Sequence, residues 1–249
     1  MIKYAQRITR PYVKALQSGY RDLRRSLRDN SPVWLGAFVD GAFDYFDLFL
    51  IDLGIIRTIY PNRHRLTRIV WRSSQPAPHD IALFARNGIR TIVNLRGRRD
   101  CGSDLLERAW CVRYGIRLID FPAKSRAAPD AAFFRDAKTL FESIDYPMLM
   151  HCKSGADRVG MMSALYLMLV EARPADEALR QLSLRYGHIR QGKTGVLDAV
   201  LEAYIQRNRR APIGFLDWAE TEYQPVTLTA KFAARSWANM LVDVLLRRE

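Results

Sequence analysis

Residues 151–160 read His151-Cys152-Lys153-Ser154-Gly155-Ala156-Asp157-Arg158-Val159-Gly160, so five residues separate Cys152 from Arg158 and Gly155 lies between them. A thiolate can attack phosphorus. A tight turn of backbone amides can hold phosphate oxygens. An arginine presents a planar fork of donors that clamps two of those oxygens. Together these residue types can capture a phosphate dianion and cleave its ester.

The flanking residues say which elements hold the trio. Tyr146-Pro147-Met148-Leu149-Met150 is a short apolar run suited to a buried strand, and Met161 to Val170 is a longer one suited to a buried helix. The loop between them therefore sits at a helix N-terminus, where free N–H groups and the positive end of the dipole favour anions. Gly155 lets the loop curl with its N–H groups inward.

This segment resembles the signature loop of the cysteine-dependent phosphatases, the protein tyrosine and dual-specificity phosphatase superfamily. The resemblance implies that Cys152 is a nucleophile forming a phosphocysteine and that Arg158 binds phosphate. It also implies that His151, Lys153, Ser154, Gly155 and Ala156 belong to the substrate-binding loop, whose amides from Lys153 to Arg158 cradle the oxygens. Trp71-Arg72-Ser73-Ser74-Gln75-Pro76 followed by Val93-Asn94-Leu95-Arg96 is similar to compact bacterial members and to the plant and fungi atypical dual-specificity phosphatases.

The chain departs from that pattern twice. The family has Ser or Thr after the arginine, where a hydroxyl helps the thiolate leave in the second step; here the position is Val159. The family's general acid is an aspartate near the positions of Lys124 and Ser125, and no carboxylate stands there. Three alternatives remain. Asp120 falls in a strand. Asp130 starts a helix, where capping is the simpler role. Asp157 lies inside the loop, as an aspartate does in myotubularin-like and Sac-like lipid phosphatases, and it is the first choice.

The cysteines Cys101, Cys111 and Cys152 are odd in number and form no disulfide framework. A buried structural role is expected for Cys101 and Cys111. With four histidines and no Cys-x-x-Cys pattern, no metal site and no cofactor are expected. Lys and Arg number 39 against 26 acids, a net charge of +13, which calls for an anionic partner: a phosphorylated protein or an anionic phospholipid, with nucleic acid ranked last. Arg96, Arg98 and Arg99 follow a strand and are read either as an extended phosphate field or as a solvated loop. No signal peptide is evident. Ala5, Ile8, Tyr12, Leu16, Tyr20, Leu23 and Leu27 recur at helical spacing among basic residues. Such a helix either lies on an anionic membrane or docks on the core. Asp40, Asp44 and Asp47 share one face of a following helix, whose apolar face would carry Leu35, Phe38, Ala42 and Phe49; carboxylates argue against a membrane span there. The expected location is cytoplasmic, with peripheral contact at the inner face of the plasma membrane.

The element order is a strand over 68–73, a helix before Asn87, a strand over 91–96, a helix over 104–114, a strand over 116–121 and a helix over 129–144. The nucleophile strand and its helix follow, then helices over 175–186 and 194–207. Alternation of strands and helices means an α/β fold with a central parallel-rich sheet, dual-specificity-phosphatase-like by resemblance. Three parts are expected: an amphipathic helical extension over 1–66, the phosphatase domain over 67–207, and an extension over 208–249 packing on the core. Three functions fit: a phosphatase acting on protein, the same chemistry on a lipid or inositol phosphate such as a lipid A-type phosphate, and a phosphate-binding pseudo-phosphatase.

Overall fold

The computed structural model describes residues 61–234 and, before them, residues 19, 22, 23, 25–27, 33–46 and 48. Most of the basic N-terminal stripe, and the end of the C-terminal extension over 235–249, lie outside the described residues. The chain divides into two units, one of Met1–Ile55 with Asp100–Leu106, the other of Ile56–Arg99 with Glu107–Glu249.

In the first unit, helix α1 spans Val33–Phe46. Its acidic residues do not form a plain solvent face: Asp40 and Asp44 are half-buried whereas Ala42 is exposed. Leu23 and Leu27, on helical residues further upstream, are 54% and 43% exposed. Among the described residues no helix is long and apolar enough to cross a membrane.

The second unit is built on five strands: β1 (His64–Arg65), β2 (Val70–Ser74), β3 (Thr91–Asn94), β4 (Arg117–Asp120) and β5 (Met148–Cys152). They lie in the order β1-β2-β5-β3-β4, and only β1 runs antiparallel. Between and after them come α2 (Pro78–Arg86), α3 (Gly102–Arg113, of which the residues to Leu106 belong to the first unit), α4 (Ala131–Ser143), α5 (Asp157–Leu169), α6 (Ala175–Leu179), α7 (Val196–Arg210) and α8 (Phe215–Thr221). The fold is thus α/β, with a mostly parallel sheet and flanking helices. β5 is central and wholly buried, which is why it is apolar rather than alternating.

Side-chain alternation along β5 assigns its two faces. Met148, Met150 and Cys152 join the larger core with Phe134, Val159, Leu165 and Leu197. Leu149 joins a smaller one with Ile81, Phe84, Ile92 and Cys111. Cys152 and Cys111 therefore lie on opposite faces of the sheet, and all three cysteines are free. Burial pushes the Cys111 thiol up to about 12, as suits an inert core residue. Phe215 and Trp218 of α8, with Tyr223, complete the larger core. Burying several aromatic side chains is a large apolar contribution, about 2–3 kcal/mol each.

One expected helix does not exist as drawn. The stretch 175–186 is α6 only to Leu179; Ser183 is extended, and a 3-10 turn over Leu184–Tyr186 ends at Gly187 with φ 75°. Leu182 and Tyr186 are buried while Leu184 is 77% exposed, a burial pattern that one continuous helix would not give.

Candidate active site

Cys152 ends the central strand, flanked in register by Ser74 of β2, while its neighbour His151 pairs with both Ser73 and Asn94. This is the carboxyl end of the parallel strands, the usual place for ligands in open α/β folds. The chain then turns through Lys153–Ala156 and enters α5 at Asp157. Gly155 makes the turn with φ 73°; a Cβ there would stand 2.6 Å from the Ser74 nitrogen and 2.7 Å from the Ser73 carbonyl carbon. Only glycine fits both the angle and the space.

The four carbonyls of the turn are anchored by Arg72 of β2, by Gln75 just after that strand and by Asn62 before β1. Lys153 O accepts from the Gln75 N–H at 3.4 Å. Ser154 O accepts from Asn62 Nδ2 at 2.8 Å. Gly155 O and Ala156 O accept from one Arg72 nitrogen at 2.9 and 3.4 Å. In a trans peptide the carbonyl and the next N–H point in opposite directions. Anchoring these carbonyls therefore turns the following N–H groups, Ser154 to Asp157, away from the anchors. Donors turned this way at the start of a 13-residue helix favour an anion.

Arg72 is the strongest of those anchors. It is fully buried, holds Gln181 through its backbone and side-chain oxygens at 3.1 and 2.8 Å, and lies 3.9 Å over the Tyr186 ring. Burial lowers its pKa to about 10, so it is still charged at neutral pH. Asn62, with φ 44°, also donates to Tyr186 O at 2.8 Å. Neither residue stands out among chemistry-bearing types in the sequence. The period-2 pattern of β2, which turns Arg72 inward with Val70 and Ser74, was the available signal for Arg72.

The predicted site residues fall into place unevenly. Cys152 is 2% exposed. Arg158 is half-buried, and its guanidinium donates to Leu95 O at 3.4 Å. Lys153 is half-exposed and Ser154 exposed, whereas Gly155 and Ala156 are buried and offer only backbone. His151 is fully buried; its Nε2 lies 2.6 Å from Glu107 Oε1, close but out of hydrogen-bond line. The other oxygen of Glu107 accepts from Gln75 Nε2 at 2.9 Å. The His151 side chain is thus out of reach of a ligand, and it supports the strand end from the opposite face. Val159 is fully buried in the larger core and carries no hydroxyl.

The three carboxylates separate clearly. Asp120 accepts from Arg108 through both oxygens, at 2.9 and 2.8 Å, and from Asn94 at 3.0 Å. Asp130 caps α4 by accepting from Phe133 N at 2.9 Å. Asp157 meets none of the loop amides; its Oδ1 lies 2.7 Å from His188 Nδ1, and His188 Nε2 lies 2.6 Å from Asp198 Oδ2. His188 and Asp198 were not anticipated, because they come from distant chain segments that only the tertiary fold unites. Between Phe121 and Pro129 no carboxylate occurs at all. The main chain there meets the site through Ala123, whose N–H shares the Leu95 carbonyl with Arg158.

Arg96 and Arg99 both donate to Gln75 Oε1, Arg99 at 3.1 Å. Since Gln75 also holds Lys153 O, these cations stand beside the turn rather than on a remote loop. Among the described residues no cluster of His, Cys, Asp and Glu could hold a metal ion.

The family described as DSP-PTPase phosphatase fused to NAD+ kinase matches residues 61–195, more than half of the chain. The dual specificity protein phosphatase TpbA of Pseudomonas aeruginosa strain UCBPP-PA14 is 27% identical over 122 residues, 49% of this chain and 53% of that protein. The same protein from strain PAO1 gives the same figures. The chain thus spans about half the length of the curated relatives it matches. Among solved structures, P. aeruginosa TpbA superposes with a TM-score of 0.47 at 22% identity, over 70% of this chain and 92% of that one. The core catalytic domain of the PP-IP phosphatase SIW14 from S. cerevisiae, solved with citrate, gives 0.45 at 16% identity, over 61% and 94%.

Proposed function

Since this chain belongs to the family described as DSP-PTPase phosphatase fused to NAD+ kinase, we propose that it is a phosphomonoester hydrolase working through a phosphocysteine on Cys152. The observation that supports the reading is the Cys152–Arg158 turn, its carbonyls anchored by Asn62 and Arg72 at the start of α5. The amides and the Arg158 fork hold three phosphate oxygens and place phosphorus before the Cys152 sulfur. Attack forms the S–P bond and breaks the O–P bond, and Asp157 supplies the proton that the leaving oxygen needs. Water then attacks phosphorus and frees the thiolate. Val159 gives no hydroxyl to assist that second step, so breakdown of the phosphoenzyme is the slower one.

The test is Cys152→Ser, which should abolish phosphate release while the protein still binds inorganic phosphate. Serine keeps the turn but not the thiolate. Hydrolysis by this variant at a rate near that of the natural chain would reject the mechanism.

A second reading keeps the chemistry and changes the substrate to a lipid or inositol phosphate. It is favoured by Arg96 and Arg99, which stand beside the turn through Gln75 and suit a ligand with charge beyond one phosphate. The exposed Leu23 and Leu27, among basic residues, would fit peripheral contact with an anionic membrane. Purified protein assayed side by side on phosphopeptides and on phosphorylated lipid vesicles separates the two; faster turnover of the peptides would set the lipid reading aside.

A further inference from the structure

The segment from Gly187 to Gly195 is shaped around one side chain. Gly187, with φ 75°, turns the chain after Tyr186, and the His188 N–H donates to Ser183 O at 3.1 Å. At Gly195 a Cβ would stand 1.8 Å from the Arg190 carbonyl oxygen, so the loop closes on itself only with glycine there. Within it the His188 imidazole is completely buried between two carboxylates, Asp157 at the start of α5 and Asp198 on α7. A neutral imidazole has a single N–H, and two carboxylates in hydrogen-bond contact with both nitrogens call for two. The geometry therefore favours the imidazolium. The two ends of the triad differ. The Asp198 side chain is 5% exposed and sealed, while that of Asp157 is 26% exposed and sits between Ala156 and Arg158.

Resting on the phosphocysteine reading above, we propose that His188, clamped by Asp198, is a positioning residue that fixes Asp157 beside the leaving group and keeps a proton available to it. In the first step the Cys152 thiolate forms the S–P bond, the ester O–P bond breaks, and the leaving oxygen takes a proton through Asp157 from His188 Nδ1. In the second step water attacks phosphorus, the S–P bond breaks to restore the thiolate, and the proton of that water returns through Asp157 to His188. The triad ends each cycle with the protons it began with, so a buried imidazole needs no exchange with bulk water.

The charge state fits the role. Burial alone would lower the His188 pKa; the hydrogen bonds and charges of Asp157 and Asp198, the titratable groups that act on it, overcome burial and raise it to about 9. An ordinary buried ion triad would give the same stability without touching the reaction, so the test must read the leaving group.

The natural chain and His188→Asn should be compared on an alkyl phosphate, whose alkoxide must be protonated, and on p-nitrophenyl phosphate, whose phenolate leaves unaided. We expect kcat on the alkyl ester to fall ~10²-fold or more in the variant, with a change of only a few-fold on the aryl ester. In the natural chain the alkyl reaction alone should lose activity above about pH 9, and this needs no variant to fold. Equal losses on both esters, or the same alkaline limb on both, would overturn the proposal and leave His188 a structural residue. An active Cys152→Ser would instead overturn the phosphocysteine reading, so the two failures are distinguishable.

Discussion

Two segments share the Leu95 carbonyl: the turn 153–158, which brings Arg158, and the stretch 121–130, which brings Ala123. The first is fixed at almost every peptide. Arg72, Asn62 and Gln75 hold its carbonyls, and packing against Ser73 and Ser74 allows only glycine at 155. The second holds no carboxylate before Asp130, and that residue is committed to capping α4. The difference teaches that phosphate capture and leaving-group protonation are separable demands. Capture needs a backbone over-determined to within a fraction of an ångström. Protonation needs only one acid in reach, and the proposed acid is Asp157, which lies in the turn itself and pairs with His188.

That contrast can be broken at several points. Arg158→Lys should have the largest effect, a loss of ~10²–10³-fold in kcat/KM, because a point charge cannot reproduce a bidentate clamp. Activity within a few-fold of the natural chain would mean that the amides alone suffice. Gly155→Ala comes next. With φ 73° and backbone atoms under 3 Å from the new Cβ, it should cost about 3 kcal/mol in urea unfolding and most of the affinity for inorganic phosphate. Intact phosphate affinity would show that the turn tolerates another conformation.

Smaller effects sharpen the acid assignment. Asp157→Asn should reduce kcat ~10²-fold on alkyl phosphates and far less on aryl phosphates with good leaving groups. Asp120→Asn and Asp130→Asn are the controls. The first loosens a half-exposed pair with Arg108, worth less than about 1 kcal/mol, and the second keeps a capping oxygen for the Phe133 N–H. Neither should alter the ratio of alkyl to aryl rates, and a selective loss in either would move the acid to that residue.

Stability should report the same triad. His188 has a folded pKa raised from 6.5 to about 9, so its contribution is complete below 6.5 and disappears as the pH climbs to about 9. Urea midpoints should fall over that interval for the natural chain, and the His188→Asn variant should lack this fall. A flat profile in the natural chain would mean that the imidazole is not charged in the fold.

Much of the architecture was legible because it follows from local pattern. The apolar run before Cys152 and the long one after Arg158 announced a buried strand and a buried helix, and both are there. Glycine at 155 announced the turn. What stayed hidden depends on tertiary pairing. The sequence shows Arg72 only as part of a strand and of the family-like stretch 71–76; that it holds the turn appears only in the fold. His188 looks like a loop residue, and its meaning appears only when α5 and α7 bring Asp157 and Asp198 to its two nitrogens. The helix expected over 175–186 failed for a related reason. Its composition allows a helix, but burial of both Leu182 and Tyr186 with Leu184 exposed requires the chain to leave it after Leu179. The role of His151 was likewise carried over from resemblance, while the fold buries its side chain against Glu107.

The most direct test is to quench the natural chain during turnover of p-nitrophenyl phosphate and map covalent phosphate by peptide mass spectrometry. Slow breakdown beside Val159 should let the intermediate accumulate, so the account predicts a burst of p-nitrophenol and a phosphate adduct on the peptide carrying Cys152. Steady turnover with no adduct on that peptide, or an adduct on another residue, would contradict it.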